Sequence, residues 1–188
     1  MTDAILTLNA GSSSIKFALF ARQEAIPRQP ELVGQIDGIG AGGSRPAHLK
    51  ANDARGRTLD DCDLMLEGPA QSLHKAALDF LLDWVHRHEA GWCIAGVGHR
   101  VVHGAQKFSQ PIVLDTAIVD ALRNFIPLAP LHQPHNLAGI AAMTSALPGI
   151  PQVACFDTAF HCSQPEVAQL FALPRAITAQ GVRRYGFH

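Results

Sequence analysis

The sequence predicts an α/β fold in which a mixed β-sheet is flanked by helices. The chain opens with two apolar stretches joined by a turn of small residues, which is typical of an antiparallel hairpin. From about residue 93 onward, short apolar strands alternate with helices. At 188 residues, of which 47% are hydrophobic and 16% charged, the chain is long enough to enclose one well-packed core.

The charge pattern argues against several classes of partner. The net charge is −1 and lysine and arginine form no run, so we expect neither nucleic acid nor a membrane as a partner. No apolar stretch approaches membrane-spanning length, and the N-terminus lacks a basic region followed by an apolar one. We therefore expect a cytoplasmic protein. The four cysteines include no CxxC pair, which favours reduced thiols over a disulfide framework.

The first hairpin joins two predicted strands, residues 5–8 and 15–19. Its turn offers an anion the Asn9 amide, three serine hydroxyls, backbone N–H groups around Gly11 and the Lys16 ammonium. Backbone amides in such a turn form an anion-binding nest, and a lysine adds a point charge. The Walker A spacing is missing, and a strand follows where a P-loop has a helix. The turn therefore predicts either a phosphate-holding hairpin or an ordinary Ser/Gly hairpin.

Three further segments follow in the first half of the chain. Residues 31–36 predict a third strand, and residues 37–45 a glycine-rich loop. The loop contains a G-x-G-x-x-G spacing, which we reject as a dinucleotide site because Ser-Arg-Pro follows where a helix should begin. Residues 46–60 are polar, contain turn signals and predict a short surface hairpin.

The clearest helix begins at Gly68-Pro69, with proline in its first turn, and ends near Ala90-Gly91. Its apolar residues recur at three- and four-residue spacing and its charged residues fall on the other face, which predicts packing against a core. The apolar residues are Leu73, Ala76, Ala77, Phe80, Leu81, Trp84 and Val85.

The second half of the chain predicts two more strands and two more helices. Residues 93–97 predict a short buried strand. Residues 115–125 predict a helix with an aspartate cap, and residues 134–146 predict another that begins at a proline. Residues 152–156 predict a strand that ends at Asp157. This alternation indicates parallel strands in the second half of the sheet.

Polar residues collect directly after three of the predicted strands, at Asn9 to Lys16, at His99-Arg100 and at Asp157-Thr158. Ligands of open α/β sheets bind beyond the carboxyl ends of parallel strands, so we expect Arg100 and Asp157 to share one sheet edge with Asn9. The Arg100 guanidinium suits a planar carboxylate or phosphate; the alternative is a structural salt bridge. Asp157 suits a base, a positioning group or a metal ligand acting through water; the alternative is a turn cap.

The ten histidines do not show the spacing of a zinc site. His99 and His103 lie four residues apart, and His132 and His135 lie three apart. Neither pair has cysteine or carboxylate neighbours at a zinc-site spacing, and no H-E-x-x-H occurs. We expect most of them to be hydrogen-bonded or exposed to solvent.

Five segments, taken together and in this order, resemble acetate kinases. They are Asn9-Ala10-Gly11-Ser12-Ser13-Ser14-Ile15-Lys16, Gly98-His99-Arg100-Val101-Val102-His103-Gly104, Leu128-Ala129-Pro130-Leu131-His132, Phe156-Asp157-Thr158-Ala159-Phe160-His161 and Arg184-Tyr185-Gly186-Phe187-His188. The resemblance covers essentially the whole chain.

The resemblance implies a ribonuclease-H-like lobe of the actin–hexokinase–Hsp70 type. Acetate kinases resemble that group in having two such lobes with an ATP cleft between them. They transfer the γ-phosphoryl of ATP reversibly to a short-chain carboxylate such as acetate or propionate, with Mg²⁺, and form acetyl phosphate from acetate. The resemblance also implies a homodimer for the full-length protein.

The resemblance further implies roles at the phosphate and carboxylate positions. Asn9 would lie on the metal and phosphate side, and Ser12 and Lys16 would support the phosphates of ATP. Arg100 would hold the carboxylate of the substrate, and Asp157 matches the catalytic aspartate. The chemistry agrees, because phosphoryl transfer mostly demands alignment and charge neutralisation.

The remaining matches concern the acyl group and the phosphoryl group in transfer. Val102, Leu131 and Phe187 would line the small apolar pocket for the methyl group, and His188 matches the histidine that stabilises the phosphoryl group. The chain departs from the family at Ala105, where a second glycine is usual. If that position requires positive φ, alanine strains the loop beside Arg100.

A second departure concerns length. By this resemblance we expect residues 1–188 to form the N-terminal lobe of the family, without its C-terminal nucleotide-binding lobe. We therefore expect this chain to carry the acyl-substrate half of an acetate kinase site and to be inactive alone. The alternatives are a freestanding, non-catalytic lobe that binds a carboxylate or a partner, and a metal-dependent hydrolase built on the histidines.

Overall fold

The computed structural model describes residues 2–40, 46–88 and 91–185. Eight strands occur in these residues: β1 (Thr2–Ala10), β2 (Ser14–Ala21), β3 (Leu32–Asp37), β4 (Ala47–Asp53), β5 (Thr58–Leu64), β6 (Trp92–Val101), β7 (Ile112–Val113) and β8 (Gln152–Phe156). They form one sheet in the order β5-β4-β3-β2-β1-β6-β8-β7.

The sheet is mixed, as the sequence predicts. Strands β1 to β5 form an antiparallel meander, in which Asn9 of β1 is the direct partner of Lys16 of β2. Strand β6 runs parallel to β1 and to β8, and the short strand β7 runs antiparallel to β8 at the edge. The carboxyl ends of β1, β6 and β8 therefore meet at one edge of the sheet.

Three longer helices occur among the described residues: α1 (Ala70–His88), α2 (Thr116–Arg123) and α3 (Gln133–Ala146). A 3-10 turn spans Ile126–Leu128, and three single-turn helices follow β8: α4 (Ala159–Cys162), α5 (Glu166–Gln169) and α6 (Arg175–Thr178). The predicted cap of α2 is confirmed, because the Asp115 carboxylate accepts a hydrogen bond from the Ile118 N–H at 2.7 Å.

Helices α1 and α3 contribute to one hydrophobic core with the apolar face of the sheet. Strand β1 buries alternate residues on this face, namely Ala4, Leu6, Leu8 and Ala10. Trp84 of α1 is fully buried, lies edge-on to Phe17 with 5.4 Å between ring centroids, and donates its indole N–H to Asp60 at 3.0 Å. The helix that the sequence identified as a packing helix therefore serves as one.

The structure differs from the sequence expectation in three elements. The short surface hairpin is in fact β4 and β5, two seven-residue strands of the main sheet, with Leu49 and Ala51 fully buried. Strand β6 extends past residue 97 to Val101, so that Arg100 lies within the strand and not after it. Strand β7 was not expected. Of the predicted glycine-rich loop, residues 41–45 lie outside the described residues.

The described residues contain no helix that is both long enough and apolar enough to cross a lipid bilayer.

Candidate active site

Three polar side chains meet at the carboxyl edge of the parallel strands. The Arg100 guanidinium donates through Nε to both carboxylate oxygens of Asp157, each at 3.0 Å, and through Nη2 to Oδ2 at 2.5 Å. Its Nη1 donates to Oδ1 of Asn9 at 3.1 Å. The structure thus brings together the three residues that the sequence placed at one sheet edge.

The register of the sheet explains this meeting. Arg100 is the cross-strand partner of Cys155, two residues before Asp157, and the Asp157 N–H donates to the Val101 carbonyl at 3.1 Å. The Arg100 side chain is 43% exposed and that of Asp157 is 22% exposed, so the pair is reachable from solvent. An incoming carboxylate would compete with Asp157 for the same guanidinium N–H groups.

A cleft of about 380 Å³ lies on the sheet beside Arg100. Asn9, Lys16 and Arg100 all line it, which places an amide and two cations around one space. Its other lining residues are Thr7, Leu8, Phe17, Ala18, Gly98, His99 and Cys155.

The turn between β1 and β2 corrects one expectation about the anion nest. The Gly11 N–H is not available to a ligand, because it donates to the Ser14 carbonyl at 2.8 Å. Ser12 and Ser13 are exposed in this turn. The Gly11 N–H is therefore not part of an anion nest, whereas the Lys16 ammonium lines the cleft.

His99 lies next to Arg100 but on the buried side of β6. Its Nε2 donates to Oε1 of Gln152 at 2.7 Å, and Gln152 in turn donates to the Thr144 hydroxyl at 2.7 Å. Burial lowers the pKa of His99 to about 4, against a smaller opposing effect of the Gln152 hydrogen bond. His99 is thus a neutral core histidine at pH 7, not a proton donor to the cleft.

A second cavity, of about 440 Å³, lies behind the loop that follows β6. Val102 and Leu131, the two described members of the expected methyl pocket, both line it. Leu131 is 72% exposed, so the pocket is open on that side. The other lining residues are His103, Leu128, Ala129, Pro130, His132, Phe171, Arg183 and Tyr185. Phe187 and His188 lie outside the described residues.

The loop after β6 has a residue with positive φ, which was expected, and is held by buried polar side chains, which was not. Ala105 has a φ of +50°, which makes it the one non-glycine residue with positive φ among the described residues, as the sequence departure suggested. The buried side chains of Gln133, Asn136 and Thr158 hold this loop. Gln133 and Asn136 were not identified from the sequence, and Thr158 was named only as a polar residue after a strand. The available signal was a polar residue on the core face of α3, where Asn136 precedes Ile140 by one turn.

The residues present are chemically suited to Mg²⁺ but form no complete protein cage. Within the described ranges, histidine, cysteine, aspartate and glutamate form no group of three or more that could hold a metal ion. Mg²⁺ keeps several waters and takes only one or two protein oxygens together with substrate phosphates. The Asn9 amide oxygen, which lines the cleft, and the Asp157 carboxylate, which accepts from Arg100, are oxygens of this kind.

Two solved structures that resemble this chain are an acetate kinase and a propionate kinase. The chain superposes on the acetate kinase of Porphyromonas gingivalis with a TM-score of 0.78 and 34% identity, over 99% of this chain and 45% of that one. It superposes on a propionate kinase from Francisella tularensis with a TM-score of 0.75 and 32% identity, over 98% of this chain and 44% of that one. The fold is a ribonuclease-H-like lobe of the actin–hexokinase–Hsp70 type.

Sequence comparisons show to which family of these kinases the chain belongs. The model of the acetokinase family matches residues 4–188. The acetate kinase of Rhodopseudomonas palustris is 47% identical over 188 residues, and that of Pseudomonas aeruginosa is 44% identical over 185 residues. The chain belongs to the acetokinase family. It spans 46% and 43% of the length of these two relatives, respectively.

Proposed function

We propose that this chain carries the acyl-substrate half of an ATP-dependent acetate kinase site. The reaction would be reversible transfer of the γ-phosphoryl of ATP to acetate, which gives acetyl phosphate and ADP. The observation that carries the proposal is the convergence of Arg100, Asp157 and Asn9 at the carboxyl ends of three strands, beside Lys16. Membership of the acetokinase family supports the same chemistry.

The main obstacle in this reaction is the repulsion between two anions, acetate and the triphosphate. Acetate is already an anion, so it needs alignment and charge neutralisation more than a strong base. In our proposal Arg100 binds the acetate carboxylate, and Lys16 and Ser12 bind phosphate oxygens. Mg²⁺, held in part through Asn9, would supply further neutralisation of the phosphates when bound.

Asp157 and His188 complete the proposed chemistry. Asp157 accepts from Arg100 at 3.0 Å and so orients the guanidinium that meets the substrate. His188 would stabilise the transferring phosphoryl group. Val102, Leu131 and Phe187 would enclose the methyl group. A pocket of this kind distinguishes one methylene by only about 1–3 kcal/mol, so we propose that both acetate and propionate are accepted.

We further propose that the 188 residues are inactive alone and that the complete protein is a homodimer. The chain spans less than half of the length of the relatives it matches. Among the described residues, Lys16 is the one lysine that lines the cleft beside Arg100. The test is a coupled assay of acetate-dependent ATP turnover by the purified chain, run beside acetate titration of the same sample. Binding without turnover is expected, and turnover would contradict the proposal of inactivity.

The role of the ion pair predicts opposite effects of two substitutions on acetate binding. Arg100→Gln removes the cation and should weaken acetate binding by about tenfold or more. Asp157→Asn removes the competing carboxylate and should strengthen it. The matched control is Arg22→Gln, since Arg22 forms an exposed ion pair with Asp3 far from the cleft. Calorimetric titration with acetate measures all three, and equal affinities in wild type and Arg100→Gln would overturn the proposal.

A further inference from the structure

Two buried amide side chains project from the first turns of α3 toward the site. Gln133 has no exposed surface and Asn136 is 4% exposed. Buried polar groups of this kind are costly unless every donor and acceptor is used. Each amide uses both its oxygen and its nitrogen, and the partners are backbone groups of the two segments that carry the candidate site, apart from the Leu122 carbonyl of α2, which accepts from Gln133 at 3.4 Å.

Asn136 bridges the end of β1 and the loop after β6. Its Oδ1 accepts from the Val102 N–H at 3.0 Å, and its Nδ2 donates to the Ala10 carbonyl at 2.8 Å. Ala10 follows Asn9, and Val102 lies two residues after Arg100. Because Arg100 also donates to Asn9, the amide closes a ring of contacts that includes both the phosphate side and the carboxylate side of the cleft.

Gln133 holds the next residue of the same loop. Its Oε1 accepts from the His103 N–H at 3.3 Å, and its Nε2 donates to the His103 carbonyl at 3.1 Å. The N–H of Gly104 then donates to the Thr158 hydroxyl at 2.9 Å. Three consecutive backbone N–H groups, those of residues 102–104, are therefore held by side chains, and the conformation of this loop depends on those side chains.

Helix α3 is itself placed by close packing. A Cβ added at Gly139 would lie 3.3 Å from both the Ala10 Cβ and the Leu8 Cδ2, so the helix packs closely on β1 at this glycine. Ile140 and Met143 are buried on the same face. A helix fixed in this way can transmit its position to the loop through two rigid amide contacts.

We propose that Asn136 and Gln133 are positioning residues that set the Arg100–Val102 segment relative to Asn9, and with it the alignment of the carboxylate against the phosphate. This inference rests on the proposed function for its purpose, but its geometry can be tested independently. Loss of the Asn136 amide would leave the Val102 N–H and the Ala10 carbonyl unsatisfied in a buried place, and the two strand ends could separate.

The test compares Asn136→Leu with the control Ile140→Val in the ¹⁵N-labelled 188-residue chain. Leucine has the γ-branched shape of asparagine and is somewhat larger, and it makes neither hydrogen bond. Ile140→Val loosens the same helix face but removes no hydrogen bond to the loop. Two properties are measured at a temperature where all samples are folded: the Arg100 Nε–H resonance, assigned from its loss in Arg100→Gln, and the affinity for acetate. Gln133→Met is the second variant and serves if Asn136→Leu does not fold.

We expect Asn136→Leu to shift the Arg100 Nε–H resonance and to weaken acetate binding by about tenfold, with Ile140→Val unchanged in both. Equal behaviour of Asn136→Leu and Ile140→Val would overturn the positioning role. If the wild-type chain binds no acetate, the proposed function of this chain fails, and the resonance alone decides the positioning role. A shift confined to Asn136→Leu and Gln133→Met then supports it, and an unshifted resonance in both overturns it.

Discussion

Ala105 adopts a backbone conformation that side chains disfavour, at a position next to the candidate site. Its φ is +50°, its N–H donates to Nδ1 of His103 at 2.9 Å, and its carbonyl accepts from the Cys162 thiol at 3.2 Å. An L-residue in this left-handed region costs about 1–2 kcal/mol. The surrounding contacts therefore hold the loop against a local preference of the chain.

Ala105→Gly should consequently stabilise the protein. Glycine removes the left-handed cost but adds about 0.4–1 kcal/mol of unfolded-state entropy, so we expect a net gain of about 0.5–1 kcal/mol in the free energy of unfolding. Urea denaturation measures it. Ala54→Gly is the matched control, because Ala54 is not among the residues with positive φ and glycine there should only destabilise. A loss of stability in Ala105→Gly would show that the strain is absent.

His74 makes the folded state sensitive to acid. It is 7% exposed, its Nε2 has no hydrogen-bond partner among the described residues, and its ring lies 4.5 Å from that of His135. Burial lowers its pKa to about 4, with a further contribution from His135, whose own pKa is lowered by burial and by His132. Burial likewise lowers the pKa of His99 to about 4.

The sign of the pH effect follows from these shifts. The unfolded chain has histidines with a pKa near 6.5, so it binds more protons than the folded chain between pH 6.5 and 4, and stability falls as the pH falls through this window. His74→Leu should raise the free energy of unfolding at pH 7. Between pH 6.5 and 4, that free energy should fall by roughly 1–3 kcal/mol less in His74→Leu than in wild type. Denaturant midpoints measured across the window test this prediction.

The matched control is His48→Gln. Hydrogen bonds from the His48 ring to Asp63 and Asp61 raise the pKa of His48, so its contribution to stability is present below pH 6.5 and is lost as the pH rises. His48→Gln should therefore leave the acid decline in place or steepen it. Parallel pH profiles of wild type and His74→Leu would rule out His74 as a source of the decline.

At the scale of elements, the loop between β6 and β7 packs against β8 without room for a further atom. A Cβ at Gly104 would lie 2.6 Å from the Phe108 carbonyl oxygen and 2.8 Å from the Phe156 ring. Gly104→Ala should cost about 1–3 kcal/mol of unfolding free energy and displace the segment that carries Val102. Gly98→Ala in β6 is the control, since its Cβ would meet only the Thr7 methyl at 3.7 Å. Thermal unfolding of the two variants distinguishes them.

Elements with a strong local signal could be predicted from the sequence. Strand β8 was predicted with its observed bounds, because an apolar run lies between Pro151 and Asp157. The hairpin of β4 and β5 was predicted to be short and on the surface, whereas it belongs to the main sheet. The polar residues His48 and Lys50 alternate with buried residues such as Leu49, and they made the segment read as polar. Strand β6 was cut short because His99 looks polar, whereas a distant partner, Gln152, allows it to be buried.

Some residues of the candidate site could likewise be predicted from local sequence patterns, and others depend on partners far away in the chain. The meeting of Arg100, Asp157 and Asn9 followed from the rule that parallel strands end at one edge, since each residue adjoins a recognisable strand. Asn136 could not be placed, because its two partners lie 34 and 126 residues away in the chain. Its importance depends on how α3 packs on the sheet, which no local pattern specifies.

At the scale of the whole molecule, large apolar side chains are exposed in the segment after β8. They are Phe160, Val167, Phe171, Leu173, Ile177 and Val182. This segment holds only single-turn helices, and few of its side chains belong to the two hydrophobic cores. Exposed apolar surface concentrated in one segment marks a contact surface or a tendency to associate.

We therefore expect the 188-residue chain to self-associate reversibly through this segment. Val167 is 83% exposed, so Val167→Lys should reduce association by adding charge to the contact without disturbing the core. Met65→Lys is the matched control, because Met65 is 86% exposed but precedes α1 and lies outside this segment of the chain. Sedimentation velocity over a wide range of protein concentrations measures the effect. If Val167→Lys and Met65→Lys associate to the same extent as wild type, the segment after β8 is not the contact surface; if wild type stays monomeric throughout, its apolar residues are too dispersed to drive association.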